Sequence, residues 1–268
     1  MSLPELSIEE IRNGLSGLNV TIGNEILFFP VTGSTNTAAA ELAAKGQREG
    51  TVIIADSQTE GRGRRGRTWV SPVGKNLYLS IILRPCMPPR DASILTLMSA
   101  VACSSAIQRL SSIPVSIKWP NDLMVVDKKM GGILTEMKTG ADRIDYAVIG
   151  IGININLDSD DMPDNIRDIA TSVRLQTGQP QPRTQYAVEI IKSLDSLYTI
   201  LLKSGKGPII DSWRSLTSTI GHTVTVTSGE VQVTGLAEGI DDEGVLLLRL
   251  EDGPLVKISS GDVNVLRT

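Results

Sequence analysis

The sequence predicts an α+β domain followed by a small all-β barrel. Three observations carry this. Strand-like runs and helical-period segments are mixed through the first 220 residues. From Gly221 the pattern changes to short strands separated by turns at Ser228-Gly229, Asp242-Glu243-Gly244 and Asp252-Gly253-Pro254. The length of 268 residues can hold one large domain or two unequal ones. The division expected is 1–220, with 1–22 as a short leader, and 221–268.

In the leader, Ser7 and Glu10 have capping-box spacing and predict a helical turn or two. Glu25 to Phe29 reads as a strand. Ser34-Thr35-Asn36 then precedes an alanine-rich helix, Thr37 to Lys45, stopped by Gly46. Small polar side chains at a helix N-terminus suit an oxygen-rich ligand, and equally suit plain N-capping. Thr51 to Ala55 and Asn76 to Leu83 are strands, and Ser93 to Leu110 has a helix's apolar spacing. Val115 to Lys118 and Leu123 to Val126 flank Trp119-Pro120-Asn121-Asp122, where Pro120 holds Trp119 extended. Asp127-Lys128-Lys129 reads as a hairpin tip, and Met130 to Glu136 as the returning strand. The glycines at 131 and 132 permit close ligand approach. A further strand runs from Tyr146 into Gly150-Ile151-Gly152-Ile153-Asn154. Asp158 to Asp164 is an acidic loop without calcium-loop spacing, read as solvated. Helices are expected over Ala170–Leu175, Thr184–Leu202 and Ile209–Leu216, then strands at Thr223–Val226, Val231–Val233, Val245–Leu250 and Leu255–Ile258.

The most unusual stretch is Gly61-Arg62-Gly63-Arg64-Arg65-Gly66-Arg67, with four arginines and three glycines in seven residues. Glycine disfavours helix and strand alike and lets backbone N–H groups approach a ligand. Arginine brings a planar, permanently charged fork that matches phosphate or carboxylate. The arginines are too close together to form separate ion pairs easily, so the loop is expected to be mobile until an anion binds. Gly61, Gly63 and Gly66 also fit a dinucleotide fingerprint, but Arg67-Thr68-Trp69-Val70-Ser71-Pro72 cannot open the long helix that motif needs. An arginine–glycine nucleic-acid arm is disfavoured by a net charge of −4 and a pI near 5.2.

Composition is ordinary for a soluble globular protein, with 41% hydrophobic and 21% charged residues. Cys86 and Cys103 give neither a disulfide framework nor a metal cluster. No apolar run is judged long enough to span a bilayer and no signal peptide is recognised, so a cytoplasmic location is expected. Asn19-Val20-Thr21 matches a glycosylation acceptor, which carries no weight without a secretory signal. The single histidine, His222, is expected to be structural.

The arginine tract, Lys118-Trp119-Pro120-Asn121-Asp122, Ser34-Thr35-Asn36, Lys128 to Leu134 and Gly150 to Asn154 together resemble biotin–protein ligase, over roughly residues 25 to 268. The resemblance implies a mixed-sheet catalytic domain of the biotin/lipoate ligase type and an SH3-like C-terminal barrel. It implies two steps: biotin and ATP form biotinyl-5′-AMP, and a lysine of a biotin carboxyl carrier protein then takes the biotinyl group. Lys129, Arg64 and Asp122 would be catalytic, with Asp122 facing the carrier lysine. Ser34, Thr35, Asn36, Gln58, Gly61, Arg62, Gly63, Arg64, Lys129, Gly132, Ile133 and Gly152 would bind biotin. Arg62, Arg64, Arg65, Trp69, Lys129, Asn121 and Asn154 would face the nucleotide. Trp119 is a site residue or a core aromatic. Mg²⁺ is expected to arrive with ATP, without a dedicated protein cage. A homodimer is possible through the sheet, and neither nucleic acid nor membrane is expected as a partner. Bifunctional members carry an N-terminal winged helix-turn-helix; only the leader precedes the motifs here, so a repressor role is not expected. A lipoate ligase and a ligand-sensing protein without transferase activity are the other readings.

Overall fold

A period of two decides how the central sheet works. In the computed structural model, which describes residues 5–18, 20–251 and 253–266, seven strands form one sheet. They are β1 (Glu25–Thr32), β2 (Thr51–Gln58), β3 (Leu77–Leu83), β4 (Ser116–Lys118), β5 (Asp122–Val125), β6 (Lys128–Thr139) and β7 (Ile144–Ile153). Their spatial order is β1-β2-β3-β7-β6-β5-β4, with β1 parallel to β2 and the other pairs antiparallel. The helices are α1 (Ile8–Leu15), α2 (Thr35–Ala44), α3 (Ser93–Ser111), α4 (Asp164–Arg167), α5 (Val173–Thr177), α6 (Arg183–Ser204) and α7 (Gly207–Leu216).

Successive side chains of a strand point to opposite faces. Val52, Ile54, Ile81, Ile149 and Ile151 enter the main core with residues of α3, α6 and α7. Their neighbours Ile53, Ile82 and Val148 form a second cluster with Ala39 and Ala43 of α2. Alanines let this short helix lie close to the sheet, and its N-terminal end meets the sheet where the strands carry Ser80, Gly150 and Gly152. The cavity described below lies there.

α3 corrects one expectation. The segment Pro89–Ser111 is long and apolar enough to cross a membrane by length and composition, yet 67% of its most apolar window is buried within the protein. It is the central core helix, which explains why it is apolar all round.

The C-terminal strands β8 (Thr223–Ser228), β9 (Val231–Ile240), β10 (Leu246–Arg249), β11 (Leu255–Ile258) and β12 (Asp262–Val265) make an antiparallel sheet in the order β11-β10-β9-β8-β12, of the SH3-like kind. Val224, Val226, Ala237, Leu246 and Leu248 are buried and continue the main core. The barrel is therefore fused to the first domain. The Trp119 indole N–H donates to the Gly244 carbonyl at 3.0 Å, and the Ser93 hydroxyl bonds the Glu243 carbonyl.

Several boundaries differ from expectation. The β5–β6 turn is at Val126-Asp127, with Val126 at φ 54°, because Val125 pairs with Lys128; Lys128 and Lys129 therefore belong to the strand. α2 starts two residues early, at Thr35. Only half of the Ser7 capping box forms: Glu10 N–H donates to the Ser7 hydroxyl, but Ser7 N–H goes to Thr184 Oγ1 at 3.0 Å. The short helix expected from Ala170 is Val173–Thr177. The acidic loop is tied down rather than simply solvated: Asp161 pairs with Lys75 and Asp158 with Arg174, at 2.9 and 2.8 Å. His222 is exposed, and its carbonyl accepts from Ala237 N–H. Asn19 and Asp252, in the glycosylation match and the last predicted turn, lie outside the described residues.

Candidate active site

Strand register sets the floor of the site. Ser80, Gly150 and Leu134 are in one row across β3, β7 and β6. Tyr78, Gly152, Gly132 and Asp122 form the next row, extending into β5. The glycines are required by what covers them. A β-carbon at residue 150 would lie 2.1 Å from Asn36 Oδ1, and one at residue 152 would lie 2.6 Å from the Trp69 indole. Real β-carbons do not come that close, so the missing side chains let Asn36 and Trp69 sit on the sheet.

The α2 terminus supplies polar groups. Ser34 is the N-cap residue but makes no side-chain capping bond. Thr35 N–H and Oγ1 donate to Gln58 Oε1 at 2.8 and 3.1 Å. Asn36 Nδ2 donates to Glu136 at 2.7 Å, and its Oδ1 accepts from Ser80 at 2.6 Å. The Thr35 and Asn36 side chains thus serve the cavity rather than the helix end. All of Ser34, Thr35 and Asn36 are buried.

The arginine stretch folds back on itself. Trp69 N–H donates to Gly61 O at 2.8 Å, Gly63 N–H to Arg67 O at 2.6 Å, and Arg62 bridges to Thr68. A 3-10 turn, Arg64–Gly66, forms the tip, with Arg65 in the left-handed region at φ 57°. The expectation that the arginines do not easily form separate ion pairs holds among the described residues: Arg65 and Arg67 share Asp262, Arg64 bonds neutral oxygens, and Arg62 alone has a carboxylate to itself. Arg62 pairs with Glu136 at 3.0 Å. Arg64 donates to Asn121 Oδ1 at 2.9 Å and to Gly261 O at 3.3 Å. Arg65 donates to Thr227 O at 2.7 Å, and Arg67 pairs with Asp262. Reversal at the tip fans the side chains toward the sheet and the barrel, which a linear spacing argument does not capture. Burial lowers the Arg64 pKa from its ordinary value, opposed by the Asp262 and Asp122 carboxylates. An arginine remains charged after such a shift.

Lys129 Nζ lies 2.5 Å from Asp122 Oδ1 and 5.6 Å from the centre of the Trp69 ring. Lys118 Nζ stands 3.7 Å from the other Asp122 oxygen. Lys129 is therefore paired rather than alone, with an aromatic face beside it. Trp69 Nε1 is buried without a hydrogen-bond partner. An incoming anion can attract Lys129 while Lys118 remains near Asp122.

These groups surround one cavity of about 230 Å³. Of the residues singled out from sequence, Ser34, Thr35, Asn36, Gln58, Arg62, Gly63, Arg64, Trp69, Asn121, Asp122, Lys129, Gly132, Ile133, Gly152 and Asn154 all line it. Two do not. Gly61 packs behind the loop, where a β-carbon would lie 2.4 Å from Trp69 O, and Arg65 points to the barrel. The Ile133 side chain belongs to the core, so its contribution is main chain. Asn154 is buried and donates to Thr171 O at 3.0 Å, which fixes that wall. Trp119 is 2% exposed and joins the core to the barrel, so the core reading of this residue holds.

Sequence reasoning missed Glu136, the apolar rim of Leu157, Ile166 and Ile169, and Asp262. Glu136 follows Gly132 and Leu134 at the strand period and was findable. Asp262 reaches the cavity only through the barrel's docking and left no local signal. Among the described residues no group of three His, Cys, Asp or Glu could hold a metal ion.

Residues 28–154 match the biotin/lipoate A/B protein ligase family, and residues 219–266 match the biotin protein ligase C-terminal domain. The chain is 40% identical over 261 residues to the bifunctional ligase/repressor BirA of Bacillus spizizenii, covering 97% of this chain and 79% of that protein. It is 33% identical over 243 residues to the biotin–[acetyl-CoA-carboxylase] ligase of Mycobacterium tuberculosis, covering 88% and 87%. The solved biotin protein ligase of Aquifex aeolicus, in complex with biotin and ATP, superposes with a TM-score of 0.77 at 29% identity, covering 91% of this chain and 100% of that one.

Proposed function

This chain belongs to the biotin/lipoate A/B protein ligase family, and from that premise we infer that its cavity activates biotin with ATP and transfers it to a lysine of a carboxylase's biotin carrier. The observation that carries the assignment is the meeting, in one cavity, of a buried polar floor with Lys129 and the arginine loop.

In the first step a biotin carboxylate oxygen attacks the α-phosphorus of ATP. The bond to the β-phosphate oxygen breaks, and pyrophosphate leaves with that electron pair. Two anions must approach, and cations placed where charge accumulates lower the barrier. Lys129 is suited to this place: leaving Asp122 for the reacting oxygens converts an internal ion pair into one with substrate. Arg62 and Arg64 close over the phosphates, and the Trp69 indole covers the product. The rim of Leu157, Ile166 and Ile169 suits the face of an adenine ring. Mg²⁺ would be brought by ATP rather than held in a protein cage, and would supply positive charge that eases departure of pyrophosphate.

In the second step a carrier lysine attacks the acyl carbon of the anhydride. The acyl C–O bond to phosphate breaks, and AMP leaves. Asp122, released by Lys129, takes a proton from the carrier lysine's ammonium group, so that the neutral amine is the nucleophile. The polar floor of Thr35, Asn36 and Gln58 favours the ureido head of biotin over the apolar ring of lipoate.

Pyrophosphate release tests the reading. Release should depend on biotin and ATP together and be at background with lipoate. Lipoate-dependent release would move the chain to the lipoate branch of the family.

A further inference from the structure

The hydrogen bonds under the cavity form a continuous chain with a defined direction. It begins at Glu136 Oε2, which accepts from Arg62 at 3.0 Å and from Asn36 Nδ2 at 2.7 Å. Asn36 Nδ2 also donates to Leu134 O at 3.2 Å. Both amide protons of Asn36 thus have acceptors, which fixes the amide orientation and turns Oδ1 toward Ser80. An amide oxygen only accepts, so the Ser80 proton goes to it, at 2.6 Å. A hydroxyl has one proton, so toward Thr35 Oγ1, 2.8 Å away, Ser80 is left with lone pairs. The Thr35 proton therefore faces two acceptors, Ser80 Oγ and Gln58 Oε1. Gln58 Nε2 is engaged by Ser71 Oγ at 3.0 Å. Along this chain what Asn36, Ser80 and Thr35 have left to offer the cavity is lone pairs, while the Ser34 hydroxyl and the second Gln58 amide proton remain as donors beside it.

We propose that Glu136 is a positioning residue that sets this polarity: acting through Asn36 and Ser80, it makes the α2 end of the cavity an acceptor of N–H donors. The inference rests on the function proposed above, where the ureido N–H groups of biotin are those donors. Glu136 does not itself line the cavity, and the buried Asn36 amide lies between it and Ser80. Without it, one Asn36 proton loses its acceptor, and a flipped amide would place its NH₂ against Ser80 and reverse the chain. The same carboxylate holds Arg62, so head-group recognition and the loop share one anchor.

The test is steady-state kinetics of biotin-dependent pyrophosphate release by wild type, Glu136→Leu, Glu136→Gln and Ser80→Ala. Glu136→Leu should raise KM for biotin about tenfold or more, the scale for a buried donor left unpaired. Glu136→Leu also frees Arg62, so the ATP terms are read in Ser80→Ala, whose kcat and KM for ATP should remain within about twofold because Ser80 touches neither Arg62 nor the phosphates. Glu136→Gln can keep an oxygen at the same place, so KM for biotin should return close to wild type. Ser80→Ala breaks the chain without touching Arg62 and should reproduce the Glu136→Leu effect, even if Glu136→Leu fails to fold. Unchanged KM for biotin in Ser80→Ala, or Glu136→Gln as damaged as Glu136→Leu, overturns the assignment. A wild-type protein without biotin-dependent release overturns the function reading, and the assignment with it.

Discussion

The Arg64 guanidinium donates to the Asn121 side-chain oxygen at 2.9 Å. Its second bond, to Gly261 O at 3.3 Å, brings the barrel into the same contact. Asn121 is fixed in turn, donating through Nδ2 to Ile133 O at 2.9 Å. One side chain thus ties the loop to the sheet and the barrel. Arg64→Gly should keep the polar floor and still form biotinyl-AMP, but release it. Labelling of an unrelated protein by the variant measures this, and adenylation without stray labelling would contradict it. Trypsin cleavage within residues 62–67 should fall when biotin and ATP bind, because bound anions add partners to the same arginines.

Lys129→Ala removes the cation beside the reacting oxygens. Asp122 retains Lys118 at 3.7 Å, so the fold should tolerate the change. Pyrophosphate release should slow by about 10² or more, the scale for one lost electrostatic stabiliser. Rates near wild type would remove Lys129 from the first step.

Trp119→Phe keeps the buried ring but deletes the N–H donated to Gly244 O. Stability should fall by about 1 kcal/mol or more, since the carbonyl loses its donor. Carrier transfer should suffer more than biotin binding, because this bond joins the Asn121-Asp122 segment to the barrel. Urea unfolding and a transfer assay measure the two effects, and an unchanged midpoint would refute the joint.

Gly152→Ala would put a β-carbon 2.6 Å from the Trp69 indole. Trp69 must move, at a cost of about 1–3 kcal/mol. The shift should appear in tryptophan fluorescence and as faster loss of biotinyl-AMP. An unperturbed spectrum with normal retention would show that Trp69 does not cover the ligand.

Much of this was legible locally. Strand alternation, the helix periods and the change of pattern at Gly221 identify the elements because each is a short-range property. Gly132, Gly152 and Lys129 are recognisable because close approach and charge leave marks in composition. What escaped depends on distant docking. The four arginines reach their partners, with Asp262 shared by Arg65 and Arg67, only because the Arg65 turn fans them apart and the barrel brings Thr227, Gly261 and Asp262 to meet them. The pairing of Lys129 with Asp122 leaves no local mark, because only strand pairing brings the two side by side. α3 resembles a membrane span because a helix buried on all sides needs the same composition.

Transfer of labelled biotin to a purified carrier domain tests the central claim most directly. With ATP, the wild-type protein should place one biotinyl group on a single carrier lysine and none on that carrier with its lysine replaced, while lipoate gives no product. A carrier left unlabelled under conditions where biotinyl-AMP accumulates, or label distributed equally between carrier and bystander lysines, would contradict the account.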